Sequence, residues 1–257
     1  MRRNETLLFS ETELQIYALI AGNDGIKARE IAGRLGMNKT EVSRWMVSSA
    51  LMRELCYQDR EYCWHALVRQ KAPYEGLYEF SGWYGTVGEF LKTDEKAWLE
   101  ELKSGCRRIG RNLNDQRGLI HSFLDCRKTM LCLFDDLKEL TDFPFPEWEI
   151  AFELRLNVGR MIRIYSDVLV MIPGKVFSLE FKMKKDIDPD EVIQAAKYVP
   201  YLEVVFGRNT DICPALVLTG EKEMFTYSKI GKTDYILPVS SGDMLFNVFN
   251  EYLGFLA

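Results

Sequence analysis

Residues 162–183 read Ile162-Arg-Ile-Tyr-Ser-Asp-Val-Leu-Val-Met-Ile-Pro-Gly-Lys-Val-Phe-Ser-Leu-Glu-Phe-Lys-Met183, and this stretch decides the fold. Two apolar runs, Ile162–Ile172 and Val176–Met183, flank the turn Pro173-Gly174-Lys175, which is the pattern of a β-hairpin. Asp167 interrupts the first run. Glu180 and Lys182 lie two apart in the second, so their side chains leave one face of the strand. An acid and a lysine beside a buried aspartate lose hydration, and a divalent cation resolves that cost. Asp167, Glu180 and the Phe181 backbone carbonyl supply hard oxygen ligands of the kind Mg²⁺ takes. Such a cation would polarise a scissile phosphate and acidify a water, with Lys182 orienting the water or offsetting developing charge.

Outward from the hairpin, Glu147–Asn157 is expected to be a helix through Trp148, Ile150, Ala151 and Leu154, broken at Gly159. Asp186–Asp190 is a polar loop with a proline, Glu191–Val204 a helix and Cys213–Thr219 an apolar strand. Met224–Tyr227 and Tyr235–Pro238 are expected as edge strands, and Leu245–Leu256 as a closing amphipathic helix. The fold class is therefore α/β (α+β), with a mixed sheet flanked by helices over residues 147–257.

On this layout the chain resembles the PD-(D/E)XK nuclease superfamily, the restriction-endonuclease-like fold. Ser166-Asp167 stands where that family has its Pro-Asp, and Glu180-Phe181-Lys182 matches the (D/E)-x-K element. Gln194-Ala-Ala-Lys-Tyr198 on the next helix is similar to the Q-x-x-x-Y element of the RecB-like branch. The resemblance spans residues 147–218. It implies a metal-dependent nuclease with Asp167, Glu180 and Lys182 as the catalytic centre and Mg²⁺ or Mn²⁺ as cofactor. It also implies that Gln194 and Tyr198 lie near the metal and the nucleic-acid backbone. Glu149 or Glu153, one turn apart on the expected helix, could supply the acid that many members carry upstream; Glu153, nearer the hairpin, is preferred. Lys184 and Lys185 would meet the phosphodiester backbone, or serve as exposed charges at a strand end.

The N-terminal segment, 1–71, reads helix, helix, helix, hairpin. Leu14, Ile16, Tyr17, Leu19 and Ile20 give the first helix an apolar face, with Thr12 as its expected cap. Lys27–Leu35 follows, stopping at Gly36, and Asn38 or Thr40 opens a third helix that turns Val42, Trp45 and Met46 inward. Leu55–Tyr57 and Tyr62–Trp64 close the unit as two short strands. This order resembles a winged helix-turn-helix, in which Asn38, Lys39, Thr40, Ser43 and Arg44 would face nucleic acid; the same unit could equally serve as a protein-contact scaffold. Residues 72–146 are expected to be mostly helical, with long helices over Asp94–Lys103 and Asn114–Leu140, and a proline-punctuated stop at 142–146. The run Arg107-Arg108-Ile109-Gly110-Arg111 is the densest positive patch in the chain. It is either a phosphate contact or a solvated face paired with Glu100, Glu101 or Asp115.

Composition limits the alternatives. The six cysteines show no CxxC pair, which argues against a zinc or iron–sulfur site and for reduced thiols in a cytoplasmic protein. Two histidines are too few and too isolated for a histidine-rich metal site or a Ser-His-Asp triad. No uncharged apolar run of about 18 residues exists, so no membrane association is expected. Lys+Arg against Asp+Glu is eleven to nine in 1–71, ten to thirteen in 72–146 and twelve to sixteen in 147–257, within a net charge of −5. Such a chain does not coat nucleic acid by charge alone. The sequence therefore points to a catalytic head for nucleic acid, DNA above all, aided by a helper such as a motor or ATPase or by self-association. Bacterial restriction, mobile-element or phage-defence systems are the setting that the resemblance implies. The competing reading is a catalytically silent adaptor that keeps the nuclease-like fold.

Overall fold

The computed structural model describes residues 10–254 except 24, 50–51, 54–55, 67–76, 114–115, 142, 157–163 and 208–209. The expected break at Gly159, the first hairpin residues Ile162 and Arg163, Leu55, Asn114, Asp115 and Leu256 thus lie outside the described residues.

Three helices, α1 (Glu11–Ala21), α2 (Ala28–Leu35) and α3 (Lys39–Ser48), and three short strands, β1 (Ile26–Lys27), β2 (Cys56–Gln58) and β3 (Cys63–Ala66), form the N-terminal unit. The strands pair antiparallel in the order β1-β3-β2. Ser10, and not Thr12, caps α1: its side chain accepts the Glu13 N–H while Glu13 returns a bond to the Ser10 N–H. Asn38 caps α3 by accepting the Thr40 N–H.

The remaining elements build one seven-stranded mixed sheet of order β4-β5-β6-β7-β8-β10-β9. Its strands are β4 (Trp83–Thr86), β5 (Glu149–Arg155), β6 (Tyr165–Ile172), β7 (Lys175–Lys182), β8 (Asp211–Leu218), β9 (Phe225–Lys229) and β10 (Ile236–Ser241). Strands β4 to β7 pair antiparallel, whereas β7, β8 and β10 run parallel. The expected hairpin is β6–β7. The helices are α4 (Leu77–Phe80), α5 (Val87–Lys92), α6 (Glu95–Arg108), α7 (Gln116–Leu140), α8 (Pro189–Lys197), α9 (Val199–Phe206) and α10 (Leu245–Leu253). One face of the sheet packs Val168, Val170, Phe177 and Val217 against α6, α7 and α10 through Trp98, Met130, Phe134 and Phe249. The other face carries α8, α9 and the N-terminal helices, with Ile16, Tyr17, Leu169, Val176 and Leu202 in one cluster.

Three expectations are corrected. Residues 147–157 are not a helix: Glu149–Arg155 is strand β5, seated between β4 and β6. Buried on both faces, it has no polar alternation for a reader to see. The helix expected over 191–204 is two helices, because Pro200, lacking an N–H, restarts the chain as α9. Strand β10 is not an edge; it lies between β8 and β9. The 72–146 segment is mainly helical, yet it also contributes β4 to the sheet. There α6 crosses so near that a Cβ on Gly105 would overlap the carbonyl oxygen of Gly82. Among the described residues no helix is long and apolar enough to cross a membrane.

Candidate functional site

The site forms where the β6–β7 ladder ends. Val168 pairs with Leu179 as the last partnered pair at that end, so Asp167 and Glu180 stand one step beyond it. In place of a backbone carbonyl, the Asp167 carboxylate accepts the Phe181 N–H, Oδ2 to N at 2.9 Å. Strand β7 does not fray there, because β8 holds its other edge as far as Glu180–Leu216 and Lys182–Leu218. Glu180 and Lys182 therefore share a face on a fixed strand, as their spacing requires, and this is the face that α8 covers. Asp188 caps α8 and Pro189 opens it, aiming Gln194 at the strand. Gln194 Nε2 donates to Glu180 Oε1 at 2.8 Å and to Tyr198 Oη, one turn on, also at 2.8 Å. Lys182 Nζ donates to the same Glu180 Oε1 at 2.7 Å. These residues, with Arg111, Ile164, Tyr165 and Lys197, line an open pocket of about 370 Å³.

The pocket concentrates charge where water is scarce. Glu180 is 2 % exposed, and its carboxyl is raised well above the usual range by burial and then by the Asp167 charge. Asp167 is also raised, by burial, although the Phe181 N–H and the Lys182 and Arg111 charges pull it back. The two carboxyl groups stand opposite each other one step past the last ladder pair, and each feels the other's charge. Burial lowers the Lys182 ammonium, but Glu180 and Asp167 outweigh it and the net shift is upward. Tyr198 is raised by burial and by Glu180, and stays a neutral phenol. Both donors to Glu180 converge on Oε1, and among the described residues Oε2 has no hydrogen-bond partner. Two facing carboxylates with one oxygen unanswered either share a proton or bind a cation. A divalent cation fits this donor set, with the Phe181 carbonyl leaving the same edge of β7 as its N–H. Among the described residues no group of three or more His, Cys, Asp or Glu side chains could form a metal cage. The set on hand is thus two carboxylates and a carbonyl, leaving room for water or substrate oxygens.

Asp167, Glu180, Lys182, Gln194 and Tyr198 therefore come together in one pocket. Glu153 lies next to it at 4 % exposure, with its backbone at φ +53. Its carboxylate faces Arg111, Nε to Oε2 at 2.9 Å, and is pushed up to about 8 by burial and by Asp167 against the pull of Arg111. Glu149 is elsewhere, at the other end of β5, where it accepts the Tyr84 hydroxyl. Because β5 is a strand, the two acids are four extended residues apart, roughly 13 Å, and not one helical turn. Lys184 is engaged by Glu191 at 2.8 Å and Asp188 at 3.3 Å, whereas Lys185 is exposed. Asn38, Lys39, Thr40 and Arg44 are exposed on α3, and Lys39 and Ser43 line a separate groove with Lys27, Arg29, Tyr62 and Trp64.

Arg111 and Lys197 are the site residues that motif reading did not place. The basic run at 107–111 was the signal for Arg111. Of the acids described from its expected solvated face, Glu100 holds Lys103 at 2.9 Å and feels Arg107 only through its charge, and Glu101 accepts the Trp83 indole N–H at 2.7 Å. Arg108 instead donates to the carbonyls of Tyr78 and Ser81.

No family model matches the chain, and neither does any curated protein. Among solved structures, the crystal structure of protein VC1899 from Vibrio cholerae is similar over 95 % of this chain and 52 % of that one, at 11 % identity and a TM-score of 0.29. The chain spans about half the length of that protein.

Proposed function

We propose that this chain is a metal-dependent nuclease of the PD-(D/E)XK kind that hydrolyses phosphodiester bonds in DNA. The observation that carries the reading is the meeting of Asp167, Glu180, Lys182, Gln194 and Tyr198, from two strands and a helix, around an unanswered carboxylate oxygen. Asp167, Glu180 and the Phe181 carbonyl would hold Mg²⁺ or Mn²⁺. When bound, that ion supplies Lewis-acid activation of the phosphate and a more acidic water. Lys182, kept protonated by its carboxylate neighbours, sits beside the reacting position and offsets charge developing on the phosphate. Gln194 holds the Glu180 rotamer through Oε1, and Oε2 would be left to a cation. Tyr198 fixes Gln194 in turn.

The N-terminal unit fits a winged helix-turn-helix whose α3 residues Asn38, Lys39, Thr40, Ser43 and Arg44 meet DNA or a partner protein. The net charge of −5 favours delivery by a helper, such as a motor or ATPase, or by self-association. Six cysteines free of disulfides suit a cytoplasmic setting, and bacterial restriction or phage defence is the context this reading favours.

The test is cleavage of linear, circular and single-stranded DNA and of RNA with Mg²⁺ and Mn²⁺. Wild type nicks or degrades DNA, and Asp167→Ala and Lys182→Ala lose at least about a hundredfold in rate with the fold intact by circular dichroism. Undiminished cleavage by both variants would sink the assignment.

A further inference from the structure

Arg111 occupies a position that the metal-site reading leaves unexplained. Helix α6 ends just before it: Gly110 takes the left-handed conformation at φ +73, and the Arg111 N–H closes the turn on the Cys106 carbonyl at 2.8 Å. Arg155 Nη1 and Tyr165 Oη both donate to the Ile109 carbonyl, at 3.2 and 3.5 Å, which ties this turn to β5 and β6. The guanidinium then lies over the Tyr165 ring, 4.6 Å from its centroid, with Nε in ion-pair contact with Glu153 Oε2 at 2.9 Å but outside hydrogen-bond alignment. Its flat face and one edge are thereby fixed. Among the described residues no hydrogen bond engages its two terminal nitrogens, and the side chain borders the pocket of Asp167 and Glu180 at 31 % exposure.

Glu153 is adjacent to that pocket through Arg111 and does not itself line it. It is buried, and it holds a left-handed backbone angle that disfavours a side-chain-bearing residue by about 1–2 kcal/mol. Among the described residues, strain and burial persist here around a single ionic partner, the arginine.

We infer that Arg111 is the phosphate-binding arm of the pocket, donating from its terminal nitrogens to a phosphodiester oxygen of the DNA strand, and that Glu153 is a positioning residue acting through it. The inference rests on the nuclease proposal, and it assigns Glu153 to the arginine and not to the metal. A guanidinium fixed on one edge presents a planar pair of donors that match two phosphate oxygens, which a lysine cannot do. Arg111 and Lys197 also reverse the charge balance of the pocket: with Lys182 they set three cations against Asp167 and Glu180 before any metal adds to them.

The experiment uses the full chain, the variants Arg111→Ala, Arg111→Lys and Glu153→Gln, and Asp167→Asn as the metal-site reference. Mn²⁺ affinity is measured by calorimetry. Affinity for a labelled DNA duplex of about 20 base pairs is measured in a Lys182→Ala background with Mn²⁺, across a range of salt. Arg111→Ala weakens duplex binding by about tenfold and lowers the slope of log affinity against log salt by about one. It leaves Mn²⁺ affinity within about twofold. Arg111→Lys keeps the salt slope and recovers part of the affinity. Glu153→Gln moves in the same direction as Arg111→Ala by a smaller factor and still binds Mn²⁺, and combining it with Arg111→Ala adds nothing further. Where Arg111→Ala lowers the melting temperature, Arg111→Gln, which keeps more of the aliphatic stem, replaces it. An unchanged salt slope in Arg111→Ala, or loss of Mn²⁺ binding in Glu153→Gln to the extent seen in Asp167→Asn, overturns the inference. A wild type that neither binds Mn²⁺ nor cuts refutes the nuclease reading separately, and Arg111 is then judged on the salt slope alone.

Discussion

Glu180→Gln separates the energetic cost of the site from its use. The amide oxygen of Gln still accepts from Lys182 Nζ and Gln194 Nε2, which both reach Oε1 in wild type. The substitution therefore keeps those bonds and removes the negative charge facing Asp167. The Glu180 carboxyl is raised in the fold, so the native state binds more protons than the unfolded chain above the ordinary glutamate range. Stability then falls as pH rises from that range towards the folded value, and Glu153, raised to about 8, adds to the same trend. In a chelator-treated sample at pH 8, Glu180→Gln melts higher than wild type by a few degrees; at pH 5, where wild type already holds the proton, the two converge. With Mn²⁺ at about 100 times its dissociation constant, wild type gains about 2.7 kcal/mol, or about 5–10 °C for a chain of this size. Glu180→Gln gains only a small part of that, because a neutral amide replaces one of two carboxylate ligands. Differential scanning calorimetry at both pH values, with and without Mn²⁺, provides all four readings. A variant that melts below wild type at pH 8 without metal, together with a wild type that Mn²⁺ does not move, would refute the reasoning.

Two further substitutions probe the scaffold. Gly105→Ala places a methyl group against the Gly82 carbonyl and is expected to destabilise the fold by about 1–3 kcal/mol in urea titration, without changing the unfolding slope. Since the Gly82 N–H bonds the carbonyls of Phe152 and Glu153 at 2.9 and 3.2 Å, the same variant disturbs the bend at Glu153, and its duplex affinity falls with its stability. Glu149→Gln, in contrast, is expected to cut DNA within about twofold of wild type, since Glu149 serves Tyr84 at the far end of β5; a hundredfold loss in a folding-competent Glu149→Gln would return it to the site.

What could be read in the sequence was local. The hairpin, its turn at Gly174 and the same-face placement of Glu180 and Lys182 all follow from a period of two over neighbouring residues, and Gln194 meets Tyr198 because four residues make one helical turn. Strand β5 was lost because Ile150, Ala151, Phe152 and Leu154 are apolar on both faces, a pattern that a buried strand and a helix share. Its partner β4 is short, glycine-bearing and more than sixty residues upstream, so its place in the sheet depends on pairing across the chain. The Arg111–Glu153 contact has the same character. It joins residues forty-two apart through a left-handed turn at Gly110 and a left-handed bend at Glu153, and only the first of these has a glycine to announce it.

That difference bears on the chemistry. A buried carboxylate and a half-buried one whose charges act on each other are unfavourable at neutral pH unless something positive stands between them, and Lys182 answers only one oxygen of one of them. A fold that kept the pair for packing alone would gain by replacing either acid with an amide, whereas one that kept it for a cation gains the opposite. On the proposed function, Arg111 would meet a second anion once a cation is bound, and its ion pair with Glu153 would keep the guanidinium from closing on Asp167 and Glu180 directly. An arginine free to do so would occupy the cation's place and quench the site. Held on Glu153 and Tyr165, it would leave the carboxylates to a metal and its own terminal nitrogens to a phosphate.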